Sequence, residues 1–254
     1  MTTAAVTALA APSGARRSAR RPGLRSQQAG ASVAHVHVVI AGGHGKIGLR
    51  LAALLAGRGD TVTAVVRNPD HRADVETAGA TCAVVDLETA SVDELASHLK
   101  GADAVVFAAG AGPNSGVARK DTVDRAAAVL LADAAKQAGV SRYLLVSSTG
   151  VEADPDPGSG EVWVAYLRAK KAAEDAIRAT DLAWTILRPG RLTDDPAVGT
   201  VLLATPPVDR ADVTRDDTAA VLAALLDAPG TAGRVLELRE GDVDVLEAVV
   251  AVTS

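Results

Sequence analysis

Residues 35–67 read HVHVVIAGGHGKIGLRLAALLAGRGDTVTAVVR, and this stretch decides the fold. An apolar β-branched run is followed by a glycine-rich turn, a segment with helical periodicity, and a second β-branched run that ends in Arg67. Apolar side chains that recur every three to four residues predict a helix with one face packed on a sheet. The residues expected on that inner face are Ile47, Leu51, Leu54 and Leu55. The order strand, helix, strand predicts a right-handed crossover between parallel strands.

Glycines at positions 42, 45 and 48 give the turn the GxxGxxG spacing of a dinucleotide-binding loop. Such a loop needs residues without a Cβ, because the chain turns tightly, its backbone approaches a pyrophosphate, and the helix packs closely on the strand. The helix N-terminus adds partial positive charge. Because the spacing stands directly between a predicted strand and a predicted helix, we expect a dinucleotide site. The loop residues expected to contact the cofactor are Gly42, Gly43, His44, Gly45, Lys46, Ile47 and Gly48.

Arg67, at the end of the second predicted strand, indicates which dinucleotide binds. An acidic residue at this place accepts hydrogen bonds from the adenosine ribose of NAD, whereas arginine suits the charged 2′-phosphate of NADP. Lys46 adds a second cation near the phosphates. The sequence therefore favours NADP (NADPH) over NAD, the competing interpretation being that Arg67 is an ordinary surface arginine.

Further candidate residues stand at the ends of later strands. Asp86 ends the third strand, where a carboxylate can meet the adenine amino group, and small residues at 108–110 let the backbone approach the ribose and nicotinamide. The carboxyl ends of parallel strands meet at one edge of the sheet, where open α/β sheets bind ligands. The cofactor-binding residues expected from this edge are Arg67, Asp86, Leu87, Ala108, Ala109, Gly110, Ser147 and Pro189.

The alternation of strand and helix continues along the chain, with a helix expected over 121–137. Six units over residues 35–190 predict an α/β fold with a doubly wound, mostly parallel Rossmann sheet. After Gly190 we expect a loop, a helix near 214–227, one strand and a final helix, which is too little for an independent substrate domain. Residues 35–254 should therefore form one domain with a small C-terminal substrate-side region at 190–254. The predicted strands are HVHVVIAG (35–42), TVTAVVR (61–67), TCAVVD (81–86), DAVVFAAG (103–110), RYLLVSS (142–148), AWTILRPG (183–190) and RVLELRE (234–240).

Tyr166 and Lys170 stand one helical turn apart on a predicted amphipathic helix. A phenol is a poor base at neutral pH, but a neighbouring ammonium stabilises the phenolate for proton transfer. With Lys170 at the edge of the inner stripe, the pair should face the sheet and its cofactor, although this spacing also arises by chance on solvated helix faces. The residues expected in that stripe are Val162, Tyr166, Ala169, Ala173 and Ile177.

Ser147, Ser148 and Thr149 follow the fifth predicted strand and offer hydroxyl groups close to this helix. Hydroxyls at a strand end can hold a carbonyl or an alcohol near Tyr166, and they are also common turn formers. Both interpretations stay open on the sequence alone.

The composition argues against several classes of protein. Aromatic residues make up 2% of the chain, which weighs against a nucleic-acid-binding module that stacks bases. No apolar stretch approaches the roughly 18–20 residues of a transmembrane helix. The single cysteine, Cys82, cannot form an internal disulfide or a Cys-based metal site by itself, and we expect it in the core. We therefore expect a soluble, cytoplasmic protein without a metal, a membrane or a nucleic acid as partner.

Residues 1–34 differ from the rest of the chain. They hold five arginines and no acid, which leaves 21 basic against 31 acidic residues beyond them, although the whole chain has a formal charge of −5. We expect a disordered basic tail, because this composition cannot form a core. An organelle-targeting segment is the alternative, since transit peptides are likewise rich in Arg and Ser and poor in acid. A start codon assigned too early would produce the same composition.

Taken together, these motifs resemble the atypical short-chain dehydrogenase/reductases, in particular the NAD(P)H-binding, NmrA-like branch close to small sugar-epimerase-like and flavin-reductase-like proteins. The resemblance covers about residues 36–250. It rests on GGHGKIG (42–48), Arg67, AAGAG (108–112), Thr122-Val123-Asp124, Gly139-Val140-Ser141-Arg142-Tyr143 before LLVSS, Tyr166 with Lys170, WTILRPG (184–190) and Arg215-Asp216-Asp217.

This resemblance implies a catalytic trio. Tyr166 would donate or accept a proton, Lys170 would stabilise its phenolate and orient the ribose, and Ser148 or Thr149 would polarise the substrate while hydride passes to or from the nicotinamide. The chain lacks the longer C-terminal region of extended nucleotide-sugar epimerases, which argues against a nucleotide-sugar substrate.

Two functions of different classes follow. The first is an NADP-dependent oxidoreductase that acts on a small carbonyl, quinone or flavin-like substrate, as a monomer or a homodimer. The second is an NAD(P)-binding redox sensor or regulatory protein without turnover, which the scarcity of aromatic residues for a stacking site keeps open.

Overall fold

The structure, a computed structural model, describes Met1, residues 35–112 and residues 115–253. The chain divides into the units Met1–Ala34 and His35–Ser254, and the second unit is the one described below. The expectations for the N-terminal segment fall on residues 2–34 and so lie outside the described residues.

Six parallel strands form one side of a nine-stranded sheet, starting from its edge in the order β3-β2-β1-β4-β5-β6. All residues of the middle strands β4 and β5 are buried, as expected for strands covered on both faces. The doubly wound, mostly parallel sheet is confirmed. These strands are β1 (His37–Ala41), β2 (Thr61–Val66), β3 (Thr81–Val84), β4 (Ala104–Phe107), β5 (Arg142–Val146) and β6 (Ala183–Pro189).

Five further strands follow residue 190, where the sequence predicted one. The strand predicted at 234–240 is present and lies parallel to β6; a second strand pairs antiparallel with it, and a third pairs antiparallel with the second. The other two form a separate parallel pair. The prediction of one strand was wrong. Of the four strands that it missed, three are only two or three residues long, too short to show a period of two. The five are β7 (Arg191–Thr193), β8 (Thr200–Ala204), β9 (Asp212–Thr214), β10 (Arg234–Glu240) and β11 (Val243–Asp244).

Helices cover both faces of the sheet. The first, seventh and eighth pack together on one face, and the third, fifth and sixth on the other. The helix predicted over 121–137 is composite, because a π-helical turn (Lys120–Ala126) separates the fourth helix from the fifth. The helices are α1 (Lys46–Gly57), α2 (Arg72–Thr77), α3 (Val92–His98), α4 (Val117–Arg119), α5 (Ala127–Ala138), α6 (Glu161–Arg178), α7 (Arg215–Leu226) and α8 (Val245–Ala251).

The inner face of α1 differs from the predicted one at a single position. Leu51 and Leu55 are fully buried, but 45% of Leu54 is exposed. At 100° per residue, Leu54 lies at the margin of a face centred on Leu51 and Leu55, so its prediction as an inner residue was wrong.

The glycine loop packs backbone against backbone. A Cβ at Gly48 would lie 2.4 Å from the carbonyl oxygen of Gly42 and 3.0 Å from the Cα of Gly43. Gly42 has φ of +83°, in the left-handed region that favours glycine, and a Cβ there would lie 2.6 Å from the Cα of Ala109. The loop is therefore pressed against α1 on one side and against the end of β4 on the other.

We predict that Gly48→Ala lowers the free energy of unfolding by about 1–3 kcal/mol, because the backbone atoms around the new methyl group must move apart. Gly57→Ala is the matched control in the same helix, since no described atom beyond its chain neighbours and the backbone of its own helix lies within 4 Å of the added Cβ. The control should leave stability unchanged or raise it slightly. Urea unfolding followed by circular dichroism measures both; equal stability of the two variants would contradict the packing described here.

Candidate active site

Two connected pockets lie at the carboxyl edge of the parallel strands. The smaller, of about 420 Å³, adjoins the glycine loop and the ends of β2 and β3, and we call it the loop pocket. The larger, of about 1150 Å³, lies between the ends of β4 to β6 and the first turns of α6, and we call it the main cleft. Residues 108–110 line both, so the two form one continuous groove.

Most of the predicted cofactor residues line this groove. The loop pocket contains Gly42, His44, Gly45, Arg67, Asp86, Leu87 and Ala108–Gly110, and the main cleft contains Ile47, Ala108–Gly110, Ser147, Lys170 and Pro189. Gly43, Lys46 and Gly48 line neither pocket. Gly43 packs against Ala64, Gly48 packs against the backbone of Gly42 and Gly43, and the Lys46 ammonium forms an ion pair with Asp194.

The glycine loop fits the pyrophosphate of a dinucleotide. At Gly45, which caps α1, no side chain forms a cap hydrogen bond, and a Cβ would lie 3.0 Å from the Gly42 carbonyl oxygen. The loop thus leaves the start of a 12-residue helix uncapped by side chains, beside a cradle that side chains would fill. Both features suit an anion held by backbone N–H groups.

Charged side chains surround the outer end of the loop pocket. Glu88 accepts hydrogen bonds from Arg119 (2.7 Å) and Thr122 (2.7 Å), and Arg67 lies at 3.2 Å. The hydrogen bond from Arg119, followed by that from Thr122, holds the pKa of Glu88 below its ordinary value. Since two other groups already satisfy Glu88, Arg67 is only loosely held, and 57% of its side chain is exposed.

Lys170 is buried in the wall of the main cleft. Its ammonium donates a hydrogen bond to the carbonyl oxygen of Val146 (3.0 Å), and it lies 3.4 Å from Oδ1 of Asp124, which is also buried. Oδ2 of Asp124 accepts a hydrogen bond from the backbone N–H of Ala111, whereas Oδ1 has no hydrogen-bond partner among the described residues. Asp124 belongs to the Thr122-Val123-Asp124 motif, but nothing in the sequence indicated that it lies beside Lys170.

Tyr166 lies in the cleft beside Lys170, as the sequence predicted. The ammonium groups of Lys170 and Lys120 lie 5.9 Å and 5.5 Å from the centre of the phenol ring, and the ring stacks on Trp163 with 5.2 Å between centres. Val162 does not belong to the inner stripe: it is 38% exposed and lines the cleft. Its prediction was wrong because the first turn of α6 faces the cleft instead of packing on the sheet.

The three hydroxyl residues after β5 have different surroundings. The Ser147 hydroxyl donates to Oε1 of the buried Glu174 at 2.5 Å. Ser148 lines the cleft, and its hydroxyl donates to the carbonyl oxygen of Thr149 at 3.2 Å. Thr149 lies outside the cleft lining, and its buried Oγ1 has no hydrogen-bond partner in the part of the chain that the structure describes. Of the three, Ser148 is the one placed to reach a substrate.

A buried ion pair braces α6 against β6. Arg188 and Glu174 are 1% and 0% exposed, and Nε of Arg188 donates to Oε1 of Glu174 at 2.9 Å. Burial by itself lowers the pKa of Arg188, but hydrogen bonds to Glu174 and Glu152 outweigh it and raise that pKa. The hydrogen bond from Arg188 also lowers the pKa of Glu152.

Several residues that line the cleft were not predicted from the sequence. Trp163 precedes Tyr166 by three residues, a spacing that places both on one helix face, and this signal was available. Lys120 lies in the π-helical turn and Arg210 in the loop before β9, where no periodicity places a side chain. Arg191 and Arg215 also line the cleft, each paired with an aspartate.

Within the described residues, no group of three or more His, Cys, Asp or Glu side chains is placed to hold a metal ion. None of the described helices combines the length and apolar character needed to cross a membrane. Cys82 is buried, as predicted.

The Rossmann sheet, the glycine cradle and the two-pocket groove define a protein that binds a dinucleotide along the carboxyl edge of its sheet. The chain belongs to the NAD(P)H-binding family, whose model matches residues 42–229. The resemblance to the short-chain dehydrogenase/reductases is thereby confirmed, and the family is one of oxidoreductase-like and epimerase-like proteins.

Relatives of known sequence or structure agree with this assignment. A curated relative from Bacillus subtilis, named uncharacterized sugar epimerase YhfK, is 36% identical over 213 residues, 84% of this chain and 98% of the relative. A structure described as a putative NAD-dependent epimerase/dehydratase from Bacillus halodurans is 31% identical, with a TM-score of 0.77 over 85% of this chain and 99% of that one. The Escherichia coli protein ChuY, described as an anaerobillin reductase, is 25% identical, with a TM-score of 0.69 over 82% and 98% of the two chains.

We predict that Arg188→Met lowers the free energy of unfolding by about 3–5 kcal/mol, because Glu174 is left buried without its main counter-charge. The double variant Arg188→Met/Glu174→Met should be more stable than Arg188→Met, since neither charge then remains unpaired. Arg191→Met, which removes an exposed ion pair with Asp212, is the control and should leave the urea midpoint unchanged. A double variant no more stable than the single one would contradict the buried pair as the cause.

Proposed function

We propose that this protein is an NADP-dependent oxidoreductase that acts on a small carbonyl, quinone or flavin-like substrate. The observation that carries this proposal is the position of Tyr166 and Lys170. Both line the main cleft, on successive turns of α6, and the cleft is continuous with the loop pocket. A proton-transferring group therefore shares one groove with the residues suited to a dinucleotide.

The cofactor would be held along this groove. The glycine loop and the start of α1 suit its pyrophosphate, Asp86 and Leu87 line the pocket suited to its adenosine, and the small residues 108–110 lie where the two pockets meet. When bound, the reduced nicotinamide supplies the hydride.

The protein supplies the proton. The Tyr166 hydroxyl is assigned as the donor to the substrate oxygen in reduction and as the acceptor in oxidation. The ammonium of Lys170 is held by the Val146 carbonyl oxygen and Asp124, so its positive charge stays in the cleft wall where it stabilises a phenolate. Ser148 is assigned to polarise the substrate carbonyl. Thr149 lies outside the cleft lining, and its backbone carbonyl oxygen accepts a hydrogen bond from the Ser148 hydroxyl.

The size and lining of the cleft favour an enzyme over a protein that only senses the cofactor. The regulatory alternative was kept open because the chain has few aromatic residues with which to form a stacking site. Two of the five aromatic residues of the chain, Trp163 and Tyr166, stand together in the main cleft. A volume of about 1150 Å³ leaves room for a small molecule beside a nicotinamide.

The preference for NADP rests on Arg67. Its guanidinium lines the loop pocket with Asn68 and His71. Its ion pair with Glu88, at 3.2 Å, is longer than the 2.7 Å pair between Arg119 and Glu88, so a phosphate can replace it. Arginine recognises phosphate through two parallel N–H donors, which suits the 2′-phosphate that NAD lacks.

We predict that Tyr166→Phe lowers kcat by about 10²–10⁴-fold while the Kd for NADPH changes less than twofold, because only the proton donor is lost. Absorbance at 340 nm measures NADPH consumption with a panel of carbonyls and quinones, and calorimetry measures cofactor binding. Unchanged turnover in this variant would refute Tyr166 as the acid. Tight NADPH binding by the wild-type protein without turnover on the panel would favour the sensor.

We predict that Lys170→Met also lowers kcat strongly, because the cleft loses the charge that stabilises the phenolate. Lys171→Met removes the same charge from the neighbouring position, where the ammonium pairs with Asp175 on the surface, and it serves as the matched control. The control should retain wild-type turnover. Equal losses in the two variants would show that general surface charge, and not the position of Lys170, sets the rate.

We predict that Arg67→Gln weakens NADPH binding about tenfold or more and leaves NADH binding unchanged, since the lost hydrogen bonds reach only the 2′-phosphate. Arg72→Gln removes a nearby exposed arginine that pairs with Glu76 and should change neither affinity. Calorimetric titration with both cofactors provides the measurement. A parallel loss for NADPH and NADH would contradict the assignment of Arg67 to the phosphate.

A further inference from the structure

Three donor groups meet at one carboxylate at the outer end of the loop pocket. Arg67, directly after β2, and Arg119, in α4, each donate a guanidinium N–H to Oε2 of Glu88, at 3.2 and 2.7 Å. Oε1 of the same carboxylate accepts a hydrogen bond from the Thr122 hydroxyl at 2.7 Å. The three donors come from different segments of the chain, and all of them point at a single anionic group.

These donors form an anion site that the protein fills with its own side chain. Guanidinium groups bind carboxylate and phosphate alike through paired N–H donors, and a hydroxyl adds a further hydrogen bond. Because the N–H groups of Arg67 and Arg119 reach the same oxygen atom, both can also reach one oxygen of a bound phosphate. Nε of Arg119 lies 3.4 Å from Oε1 of Glu88, so this guanidinium contacts both carboxylate oxygens.

The Glu88 side chain can leave this position. Its side chain is 22% exposed and both arginines also contact solvent, so separating the carboxylate from them costs little. The backbone N–H of Glu88 donates to Oδ1 of Asp86 at 3.1 Å, and this contact can persist while the side chain rotates. The hydrogen bond from Arg119 holds the pKa of Glu88 below its ordinary value, so the carboxylate is charged at neutral pH.

The site lies in the part of the groove that suits the adenosine of the cofactor. Arg67, Glu88 and Arg119 all line the loop pocket. The 2′-phosphate on the adenosine ribose is the anion that distinguishes NADP from NAD. A phosphate here would gain two guanidinium groups, but it would also meet the Glu88 carboxylate, and two like charges on the same donors repel each other.

We propose that Glu88 is a built-in competitor of the 2′-phosphate of NADP, and that Arg119 joins Arg67 in the phosphate site that Glu88 occupies. This inference rests on the proposed function, because it concerns how the same pocket selects its cofactor. NAD binds with the Glu88 carboxylate in place, whereas NADP binds only when that carboxylate turns away. The two arginines thus favour NADP, and the charge of Glu88 limits this preference.

The test uses two probes without a nicotinamide, adenosine 2′,5′-bisphosphate and adenosine 5′-monophosphate, which differ only in the 2′-phosphate. Calorimetric titration of the full chain gives the Kd of each, and the wild-type protein should bind the bisphosphate more tightly. Glu88→Gln should tighten binding of the bisphosphate about fivefold or more and change that of the monophosphate less than about twofold, because the carboxylate repels only the 2′-phosphate.

A second variant and two controls locate the effect. Arg119→Gln should weaken binding of the bisphosphate about tenfold and leave the monophosphate nearly unaffected, because its charge-assisted hydrogen bonds reach only the 2′-phosphate. Glu94→Gln removes the same charge as Glu88→Gln from an exposed position in α3. Arg125→Gln removes an arginine of the π-helical turn that pairs with Asp121. Neither control residue lines the loop pocket, so both Kd values should stay within about twofold of wild type.

The outcomes separate this inference from the proposed function. Tighter binding of the bisphosphate by Glu88→Gln and weaker binding by Arg119→Gln support the inference even if no carbonyl or quinone is reduced, in which case the oxidoreductase fails alone. Unchanged or weaker binding of the bisphosphate by Glu88→Gln, an equal gain for the monophosphate or in Glu94→Gln, or unchanged binding by Arg119→Gln overturns the inference. Equal wild-type affinity for the two probes, or binding of neither, also overturns it. NADPH turnover that depends on Tyr166 then leaves the oxidoreductase standing.

Discussion

The contact between Arg188 and Glu174 underlies the geometry of the whole cleft. Two fully buried charges are costly unless each is paired and hydrogen-bonded, and here Glu174 receives hydrogen bonds from Arg188 and from the Ser147 hydroxyl. The pair therefore joins β6, α6 and the end of β5 at one point. Lys170 lies one helical turn before Glu174, so the contact that holds Glu174 also holds this part of α6 in place. The Lys170 ammonium then donates a hydrogen bond to the carbonyl oxygen of Val146, the last residue of β5. Tyr166, one turn further, is positioned by the same brace.

A second polar contact holds the opposite side of the cleft. The buried carboxylate of Asp217, in the first turn of α7, accepts hydrogen bonds from the backbone N–H groups of Val198 and Gly199, each at 2.9 Å, and from the Thr214 hydroxyl at 2.7 Å. Gly190 permits the close approach of β7 to β9, since a Cβ there would lie 1.9 Å from the Ala211 carbonyl oxygen. Hydrogen bonds and close backbone packing thus hold the segments that carry Arg191, Arg210 and Arg215, in β7, in the loop before β9 and at the start of α7.

The parts predicted from the sequence are those that depend on local order. Periodicity and spacing predict the six parallel strands, the glycine loop and the proximity of Tyr166 to Lys170. Each of these features is set by residues that are close together in the sequence. Lys120 and Arg210 could not be found in this way, since a π-helical turn and an irregular loop place them and neither leaves a periodic pattern. Val162 is the opposite case. Helical periodicity predicted that it faces inward, but the first turn of α6 faces the cleft, and Val162 is exposed there.

Different segments of the chain line the loop pocket and most of the main cleft. The glycine loop and Arg67 come from one continuous segment, 42–67, whereas the other residues suited to the cofactor come from the ends of β3 to β6 and from α6. The lining of the main cleft comes from segments that are far apart in the chain, among them Gly112 and Lys120, residues 159–170 and residues 189–215. A relative of 36% identity named for an epimerase and a structure of 25% identity described as a reductase are compatible with one cofactor site. The substrate class must instead be inferred from the side chains that line this chain's own cleft.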